Sequence, residues 1–356
     1  MRCGDTRRGP NRGLLQLRQP ARARFRRPAG VSERAFGLQV LTGRSSVVTP
    51  LALALFAASA IRAAGPVGLP PTEAFLVDAA THSVAVESFI PALRRVGDIH
   101  ALDRIRTWSV EEADVELSDS ERVLGLSIGG EHRAYPIRIL NHHEVVNDAV
   151  GATPVAVTYC PLCLSGIAFD RRVSSSTRTF DVSGLLYNSG LVLFDRETRS
   201  LWPQLLGRAV VGPMTGTRLK RLPLRWAKWK AWKRAHPEGR VLAYASGGDR
   251  NYRRVPYKRY HASREPLFPV SRRDDRLPAK QVVFGVVVDG RAKAYPLARL
   301  DDRTLFDRVG GVAIEVTGGG DGPAAWRTDG GSAVEGIVAY WFAWAALRPE
   351  TEVYRD

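Results

Sequence analysis

Hydrophobic and polar positions alternate in the same order in two separate stretches of the chain. The stretches are "VLGLSIGGEHRAYPIRIL" at 123–140 and "VFGVVVDGRAKAYPLARL" at 283–300, and they align without gaps at an offset of 160 residues. Each pattern predicts a strand, a turn at Gly-Gly or Asp-Gly, a second strand and a proline that opens a helix. A further strand follows in each, "TPVAVTY" or "GVAIEVT". The sequence therefore predicts two related β-hairpin–helix–strand units, at 123–160 and 283–317.

The stretch between these units also carries strand patterns. "GIAFDRR", "TRTFDVSG" and "LVLFDRE" alternate as half-buried strands do. "LRWAKWKAWKRAHPEG" predicts a basic helix in which Trp226, Trp229 and Trp232 pack against the domain while lysines cover the rim. The aromatic C-terminal segment "GIVAYWFAWAALRPETEVY" is expected to close the core. Together the patterns predict an α+β fold, with a β-rich body built on two pseudo-twofold related units.

These patterns also predict the domain organisation. Residues 1–64 form an Arg-rich leader, and residues 65–356 form a single α+β domain of two related halves. The site-bearing half covers about 75–222, and the second half covers 281–356. Between them, 223–280 holds the Trp-bearing helix and a connector rich in charge, Tyr and Pro. This connector either wraps the domain as a lid or bridges the two halves.

Net charge is unevenly distributed along the chain. The whole chain carries +16, but residues 1–60 hold eleven arginines against Asp5 and Glu33, which leaves +7 for the remainder. That remainder is mildly basic and contains no nucleic-acid-binding fingerprint. We therefore expect no nucleic-acid partner, and attribute most of the charge to the leader.

The leader has the features of an export signal. After the Arg-rich stretch, an uncharged run from Val47 to Ile61 has the length of a signal-peptide apolar region and is too short to span a bilayer comfortably. Ala58-Ser59-Ala60 is a small-x-small cleavage site, and Ala64 marks a second. The sequence predicts an exported, periplasmic or extracytoplasmic protein that contacts a membrane only if this leader stays uncleaved.

Export changes the role of the cysteines. Cys3 is lost with the leader, so the mature chain holds Cys160 and Cys163, in "TYCPLC". Two cysteines three positions apart close too small a loop to stabilise the fold much as a disulfide. The pair is therefore interpreted as a metal ligand set or as a redox couple.

Comparing the two units locates the candidate site. The first unit continues "RILNHHEVVNDAVG" and ends in "TYCPLC", whereas the second continues "ARLDDRTLFDRVGG" and ends in "EVTGGG". His142, His143, Glu144, Cys160 and Cys163 therefore occur once, whereas the scaffold features occur twice. Helical spacing from the proline is expected to point His143 toward the interior, where a core histidine bonded to a backbone carbonyl is the alternative interpretation. We predict a site where the helix at 136–148 meets the cysteine turn.

The leading hypothesis is a metal site. Two thiolates on one side of a tight bend suit a soft or borderline ion such as Zn, Cu or Fe, and His143 and His142 can complete the shell. Cys160 and Glu144 are the catalytic candidates, because a thiolate can act as nucleophile and a carboxylate as base.

Two further classes stay open. The first is a thiol–disulfide oxidoreductase or redox sensor that uses Cys160 and Cys163, although the pair lacks a thioredoxin-like βαβ context. The second is a non-catalytic ligand-binding or structural module, for which Tyr187, Asn188 and Ser189 in "GLLYNSG" are candidate ligand contacts and a simple β-turn is the alternative. No nucleotide cofactor is expected, because the Gly-rich "VTGGGDGP" lacks the Lys-Ser/Thr of a phosphate loop.

Several motifs together resemble one family closely. They are "AYPIRILNHHEVVND", "VAVTYCPLC", "SGIAFDR", "VSGLLYNS", "DRETRSLW", "VGPMTG", "WKRAHPEGRVL", "NYRRVPYKRY" and the terminal "WFAWAALRPETEVY". Over roughly 75–356 the chain resembles the domain-of-unknown-function family 3179. The resemblance implies no activity.

Three positions depart from the family pattern: Leu164 stands where Gly usually follows C-P-L-C, His142 replaces an aromatic residue, and Gly190 replaces an acidic one. A Gly at 164 would permit a positive φ, so Leu164 departs from an ideal metal knuckle, whereas His142 adds a potential ligand.

Overall fold

A computed structural model of the chain describes residues 79–93, 96–248 and 250–355. The leader predicted for 1–64 lies outside the described residues, and so do its cleavage sites. The described residues belong to one structural unit. Among them, no helix combines the length and the hydropathy needed to cross a bilayer.

The described residues are mostly β, with five short α-helices, so the predicted β-rich α+β class is confirmed. The α-helices are α1 (Val110–Glu116), α2 (Ile137–His143), α3 (Trp229–Ala235), α4 (Lys258–Ala262) and α5 (Trp341–Leu347). Short 3-10 helices span Val86–Ser88, Tyr244–Gly247 and Leu297–Arg299.

The strands form several antiparallel or mixed sheets, in which neighbouring strands pair in the following order. The first sheet contains, in order, β1 (Phe89–Pro91), β10 (Phe180–Tyr187), β11 (Gly190–Asp195) and β12 (Leu201–Pro203). The second contains β13 (Arg221–Leu222), β7 (Ser165–Asp170), β6 (Thr153–Cys160) and β5 (Val145–Val150). A third is β14 (Leu224–Lys228), β3 (Arg122–Ile128), β4 (Glu131–Pro136), β15 (Arg240–Leu242), β2 (Thr107–Trp108). The fourth sheet contains β22 (Gly336–Tyr340), β16 (Val282–Val288), β17 (Arg291–Pro296) and β23 (Glu352–Val353). The fifth contains β18 (Thr304–Val309), β19 (Val312–Thr317), β20 (Ala324–Arg327) and β21 (Ala333–Val334). A small hairpin joins β8 (Arg172–Val173) and β9 (Ser176–Thr177).

Both predicted hairpins are present, as β3–β4 and β16–β17. Their turns place two consecutive residues at positive φ, Gly129 at 59° and Gly130 at 84° in one, Asp289 at 46° and Gly290 at 81° in the other. Two positive φ angles define the turn whose twist matches that of the flanking strands. The turn dipeptides therefore set the register of each hairpin.

The strands around the two hairpins pair in the same way. β3 lies antiparallel to β14 and β16 antiparallel to β22, while β4 and β17 each gain a parallel partner, β15 and β23. In each hairpin a glycine lies under a tryptophan ring. A Cβ added at Gly125 would fall 2.6 Å from Trp232, and one added at Gly285 would fall 2.5 Å from Trp344. Close backbone-to-ring packing thus requires glycine at both positions.

The prediction of a helix at 136–148 is wrong for its second half. α2 ends at His143, and the chain continues as β5, which pairs with β6 along its whole length. Glu144 makes the break, because its left-handed conformation (φ 58°, ψ −27°) cannot continue a helix. The β-branched residues of "VVNDAV" then favour the strand. The Trp-bearing helix is likewise shorter than predicted, since residues 224–228 are β14.

The core contains the aromatic residues that the sequence placed there. Trp226, Trp229 and Trp232 are 9%, 0% and 3% exposed, which confirms that this basic segment packs on the domain. In α5, Trp341 and Trp344 are also buried, so the C-terminal segment does close the core.

Candidate functional site

The two cysteines lie in a tight turn between adjacent strands. β6 ends at Cys160, whose cross-strand partner is Ser165, the first residue of β7. The sulfur atoms of Cys160 and Cys163 are 2.7 Å apart, and the Cys163 amide donates a hydrogen bond to the Cys160 sulfur at 3.2 Å. Both residues are free cysteines. The turn therefore holds two thiols in direct contact.

Neighbouring backbone fixes this turn from both sides. The Tyr340 amide donates to the Cys163 carbonyl at 2.7 Å, and the Cys163 thiol donates to the Ser189 carbonyl at 3.7 Å. Leu164 has a φ of 54°, so the position where the family carries glycine does require the left-handed region. For a residue with a Cβ this conformation costs about 1–2 kcal/mol. Gly190 is also constrained, since an added Cβ would lie 3.2 Å from the Cys163 sulfur.

The thiols are shielded from solvent. Cys160 is 1% exposed and Cys163 is 0% exposed. Burial raises the pKa of Cys163 well above its usual value, and the hydrogen bond with Cys160 raises it further. Cys163 is therefore protonated at neutral pH, and neither sulfur can be reached by a reactant until the site opens.

Glu144 is a buried carboxyl beside the cysteine turn. It caps α2, and its carbonyl accepts from the Tyr159 amide at 2.7 Å, next to Cys160. Burial raises the pKa of Glu144 to about 7, and a hydrogen bond from the Tyr257 hydroxyl at 3.1 Å offsets part of that rise. Burial also raises the pKa of Tyr257, and the charges of Glu144 and Cys160 raise it further. The Tyr257 phenol therefore lies near both groups.

Both ring nitrogens of His143 are occupied. Nδ1 donates to the carbonyl of His100 at 2.8 Å, which leaves Nε2 to accept from the Tyr252 hydroxyl at 2.7 Å. Burial lowers the pKa of His143 to about 4, so the ring is neutral. Gly247 packs against this pair, because a Cβ there would lie 1.7 Å from the Tyr252 hydroxyl. His143 points inward as predicted, with a backbone carbonyl as one of its two partners.

His142 and the "YNSG" residues have partners of other kinds. His142 Nε2 lies 3.0 Å from the Arg254 carbonyl. Asn188 and Ser189, with φ of 51° and 61°, form the two-residue turn between β10 and β11. The Asn188 side-chain oxygen accepts from the Ser271 amide at 2.8 Å. Ser189 is fully buried, and among the described residues its hydroxyl has no hydrogen-bond partner.

One segment of the connector contacts several of the predicted site residues and the turn between the cysteines. We call residues 250–280 the cover segment. Its contacts are Tyr252 with His143, Arg254 with His142, Tyr257 with Glu144, Tyr260 with the Leu162 carbonyl at 2.7 Å, and Ser271 with Asn188. Of the two interpretations of the connector, these contacts match the lid. Sequence reasoning did not identify its tyrosines as site residues, although three tyrosines in so charged a stretch were a signal.

The structure brings only some of the candidate metal ligands together. Cys160 and Cys163 are in contact, and Glu144 lies nearby. His143 and His142 are turned to other partners. Within the described residues, no three side chains of His, Cys, Asp or Glu are grouped so that they could hold a metal ion.

With this geometry in place, comparison with known proteins identifies the family. The family described as "Protein of unknown function (DUF3179)" matches residues 96–329, which is more than half of the chain. The chain therefore belongs to this family. No curated protein and no solved structure was found to match it.

Proposed function

We propose that the chain is a thiol–disulfide redox protein in which Cys160 and Cys163 form a reversible disulfide. The contact between the two sulfur atoms, 2.7 Å apart in a buried turn, carries this proposal. A tetrahedral zinc ion with Zn–S bonds of about 2.3 Å separates two sulfur ligands by about 3.8 Å, whereas a disulfide joins them at about 2.05 Å. Oxidation thus requires a small movement of the sulfurs.

The proposed reaction is an exchange with another disulfide. Two thiols of the chain form one S–S bond, while the S–S bond of the oxidant breaks and its two sulfurs take up the two protons and two electrons. Glu144 is the candidate proton acceptor, since a carboxyl with a pKa of about 7 can take a proton and return it. Whether this makes the chain an enzyme or a sensor depends on how often the site turns over.

Access to the thiols is controlled by the cover segment in this proposal. Tyr257 and Tyr260 hold the segment to Glu144 and to Leu162 within the cysteine turn. Those contacts must break before a disulfide substrate reaches either sulfur. Export, which the leader at 1–64 predicts, is part of the proposal, because an oxidising compartment maintains disulfides.

Redox titration of the full chain tests the proposal. The protein is equilibrated at graded ratios of reduced to oxidised dithiothreitol, quenched in acid, denatured, alkylated and digested after Arg and Lys. Residues 139–171 then form one peptide that contains both cysteines and excludes Cys3. We expect this peptide to pass from two labels to none as the buffer becomes more oxidising. In the matched Cys163→Ser variant, we expect one label throughout. Two labels at every ratio would contradict the proposal.

A metal site is the second candidate. It is supported by the Cys163 amide that donates to the Cys160 sulfur, since such amide donors stabilise a metal-bound thiolate. Cys160 and Cys163 would be two of the ligands. Glu144, His143 or His142 would join them only if the cover segment and these side chains moved, because no three such groups stand together among the described residues. The ion would be Zn, Cu or Fe. Elemental analysis of protein purified without chelator should then give about one ion per chain, lost in Cys160→Ser but kept in Cys3→Ser.

We also propose that the two hairpin regions, 123–160 and 283–317, are related units. Their matching strand pairing and their glycine–tryptophan contacts support this relation. A non-catalytic binding module, with Tyr187, Asn188 and Ser189 as ligand contacts, stays a prediction. It has less support, because Asn188 and Ser189 form a hairpin turn under the cover segment.

A further inference from the structure

A cavity of about 460 Å³ lies between β7, β13 and β14 on one side and β20, β21 and β22 on the other. Its volume is in the range of small-molecule sites. None of the predicted site residues lines it. It is therefore a second candidate site with its own chemistry.

The walls of the cavity are largely apolar. Ile167 and Phe284 contribute from β7 and β16, Ile337 from β22 and Trp326 from β20. Such walls stabilise the hydrocarbon or aromatic body of a ligand by removing it from water.

The charged groups of the cavity are mostly cationic. Lys220, Arg221 and Arg225 line it, and Glu335 is the carboxylate among its lining residues. The half-buried Arg225 guanidinium is stacked over the Trp326 ring, 5.8 Å from its centroid, and its hydrogen bonds go to two main-chain carbonyls at 3.4 Å. Among the described residues, no carboxylate forms a salt bridge with it. Burial lowers the pKa of Arg225, and the charge of Asp321 offsets part of that effect, so the nearby counter-charge comes from a carboxylate that forms no salt bridge with it.

Arg221 contributes a second positive charge to the cavity. It pairs with Glu335 and donates to the Leu205 carbonyl at 2.7 Å. Burial, together with the smaller effect of the nearby Arg348 and Arg218 charges, lowers the pKa of Arg221 to about 10. A second anion beside Arg221 would relieve this crowding of like charges.

We propose that this cavity binds a small organic anion, a carboxylate carried on an apolar or aromatic body. The carboxylate would lie between Arg225 and Arg221, where a planar guanidinium can hold it with two hydrogen bonds. The apolar body would rest on Phe284 and the neighbouring isoleucines. Glu335 competes with the ligand carboxylate for Arg221, so it weakens binding. This inference is independent of the proposed redox function.

Calorimetric titration of the full chain with 4-phenylbutyrate tests the inference. We expect saturable binding, and at least about tenfold weaker binding of neutral 4-phenylbutanamide, which cannot make a charge-assisted hydrogen bond. Acetate, which lacks the apolar body, should bind more weakly as well. Absence of saturable binding of 4-phenylbutyrate at millimolar concentration would overturn the inference, and so would equal affinity for the amide.

Two variants with opposite expected effects on the Kd distinguish recognition of the ligand charge from damage to the fold. Arg225→Gln should raise the Kd for 4-phenylbutyrate about tenfold through the lost charge, and Glu335→Gln should lower it. Arg240→Gln, an exposed arginine on β15 that contacts Thr107, is the matched control and should leave the Kd unchanged. If Glu335→Gln weakens binding as Arg225→Gln does, the proposed role of the charges is wrong.

Discussion

The first hairpin region, with β3 to β7, and the second, with β16 to β20, have a similar pattern of strand pairing, which we call the frame of each region, but carry different side chains. In the first, the Tyr135 hydroxyl donates to Asp148 at 2.8 Å, and in the second the Tyr295 hydroxyl donates to Asp307 at 2.7 Å. A cation joins each aspartate, Arg133 at 3.2 Å and Lys293 at 2.8 Å. These contacts link the second strand of each hairpin to the strand that follows it, β4 to β5 and β17 to β18.

The difference lies where each frame turns into its next strand. In the first region a buried left-handed Glu144 precedes β5, and β6 runs on to Cys160. In the second an exposed left-handed Asp302 precedes β18, and β19 stops at Thr317 before three glycines. A main-chain hydrogen bond at a similar place in each region runs from the Tyr159 amide to the Glu144 carbonyl and from the Gly318 amide to the Arg303 carbonyl. The helix before it differs, since α2 is a seven-residue α-helix and Leu297–Arg299 is a three-residue 3-10 helix. Similar strand pairing thus accompanies the buried Glu144, Cys160 and Cys163 in the first region and an exposed turn in the second.

The largest expected effect tests whether the two frames depend equally on their tryptophans. Trp232→Ala and Trp344→Ala should each lower the free energy of unfolding by about 3–5 kcal/mol, because each leaves a cavity over a hairpin glycine. The loss should be greater for Trp344, whose indole also donates to Thr351 at 2.9 Å. Urea unfolding measures both. Phe306→Ala, at a residue 75% exposed, is the control and should change little. A negligible loss in either tryptophan variant would show that the frames differ.

A smaller effect, the pH dependence of the free energy of unfolding, should distinguish Glu144 from Asp302. The pKa of Glu144 rises from 4.5 to about 7 on folding, so the folded state binds the extra proton. Stability linked to this proton is complete below pH 4.5 and is lost as pH rises through about 7, a loss of about 3 kcal/mol. Glu144→Gln should remove this slope from urea unfolding at pH 4.5, 6 and 8. The control Asp302→Asn should retain it, and an unchanged slope in Glu144→Gln would refute the assignment.

The smallest effect concerns the cover segment, which contacts the first region. Tyr260→Phe removes the hydrogen bond to the Leu162 carbonyl, worth about 1 kcal/mol, so local opening should become about fivefold more frequent. Alkylation of the reduced cysteines should accelerate by that factor. Tyr354→Phe, at a residue that stacks on Tyr295 in the second region, should leave the rate unchanged. Equal rates in the wild type and Tyr260→Phe would mean that this contact does not limit access.

Local sequence predicted those features that depend on neighbouring residues. The Gly-Gly and Asp-Gly turns gave the hairpins, and alternation gave β6, β7, β11 and β19 within two residues and β10 within three. The sequence grouped His142, His143, Glu144, Cys160 and Cys163 because the second region lacks them, and the structure brings the two cysteines into contact while the histidines bond to other partners. The end of α2 was missed, since its apolar spacing fits a helix and the left-handed turn at Glu144 has no glycine to mark it.

By itself, the sequence determined the β-rich class, the hairpin registers and the cysteine turn, because each depends on interactions among residues close along the chain. Tertiary structure decided the rest. His143 became neutral because burial lowers its pKa, and its Nε2 found its partner in a tyrosine 109 positions away. Glu144 gained its pKa of about 7 from burial beneath a segment more than 100 positions distant. Such partners carry no local pattern, since a hydrogen bond or a buried charge depends on what lies across space. The sequence therefore marked the candidate groups for the site, and only the fold decided whether they are charged, paired or accessible.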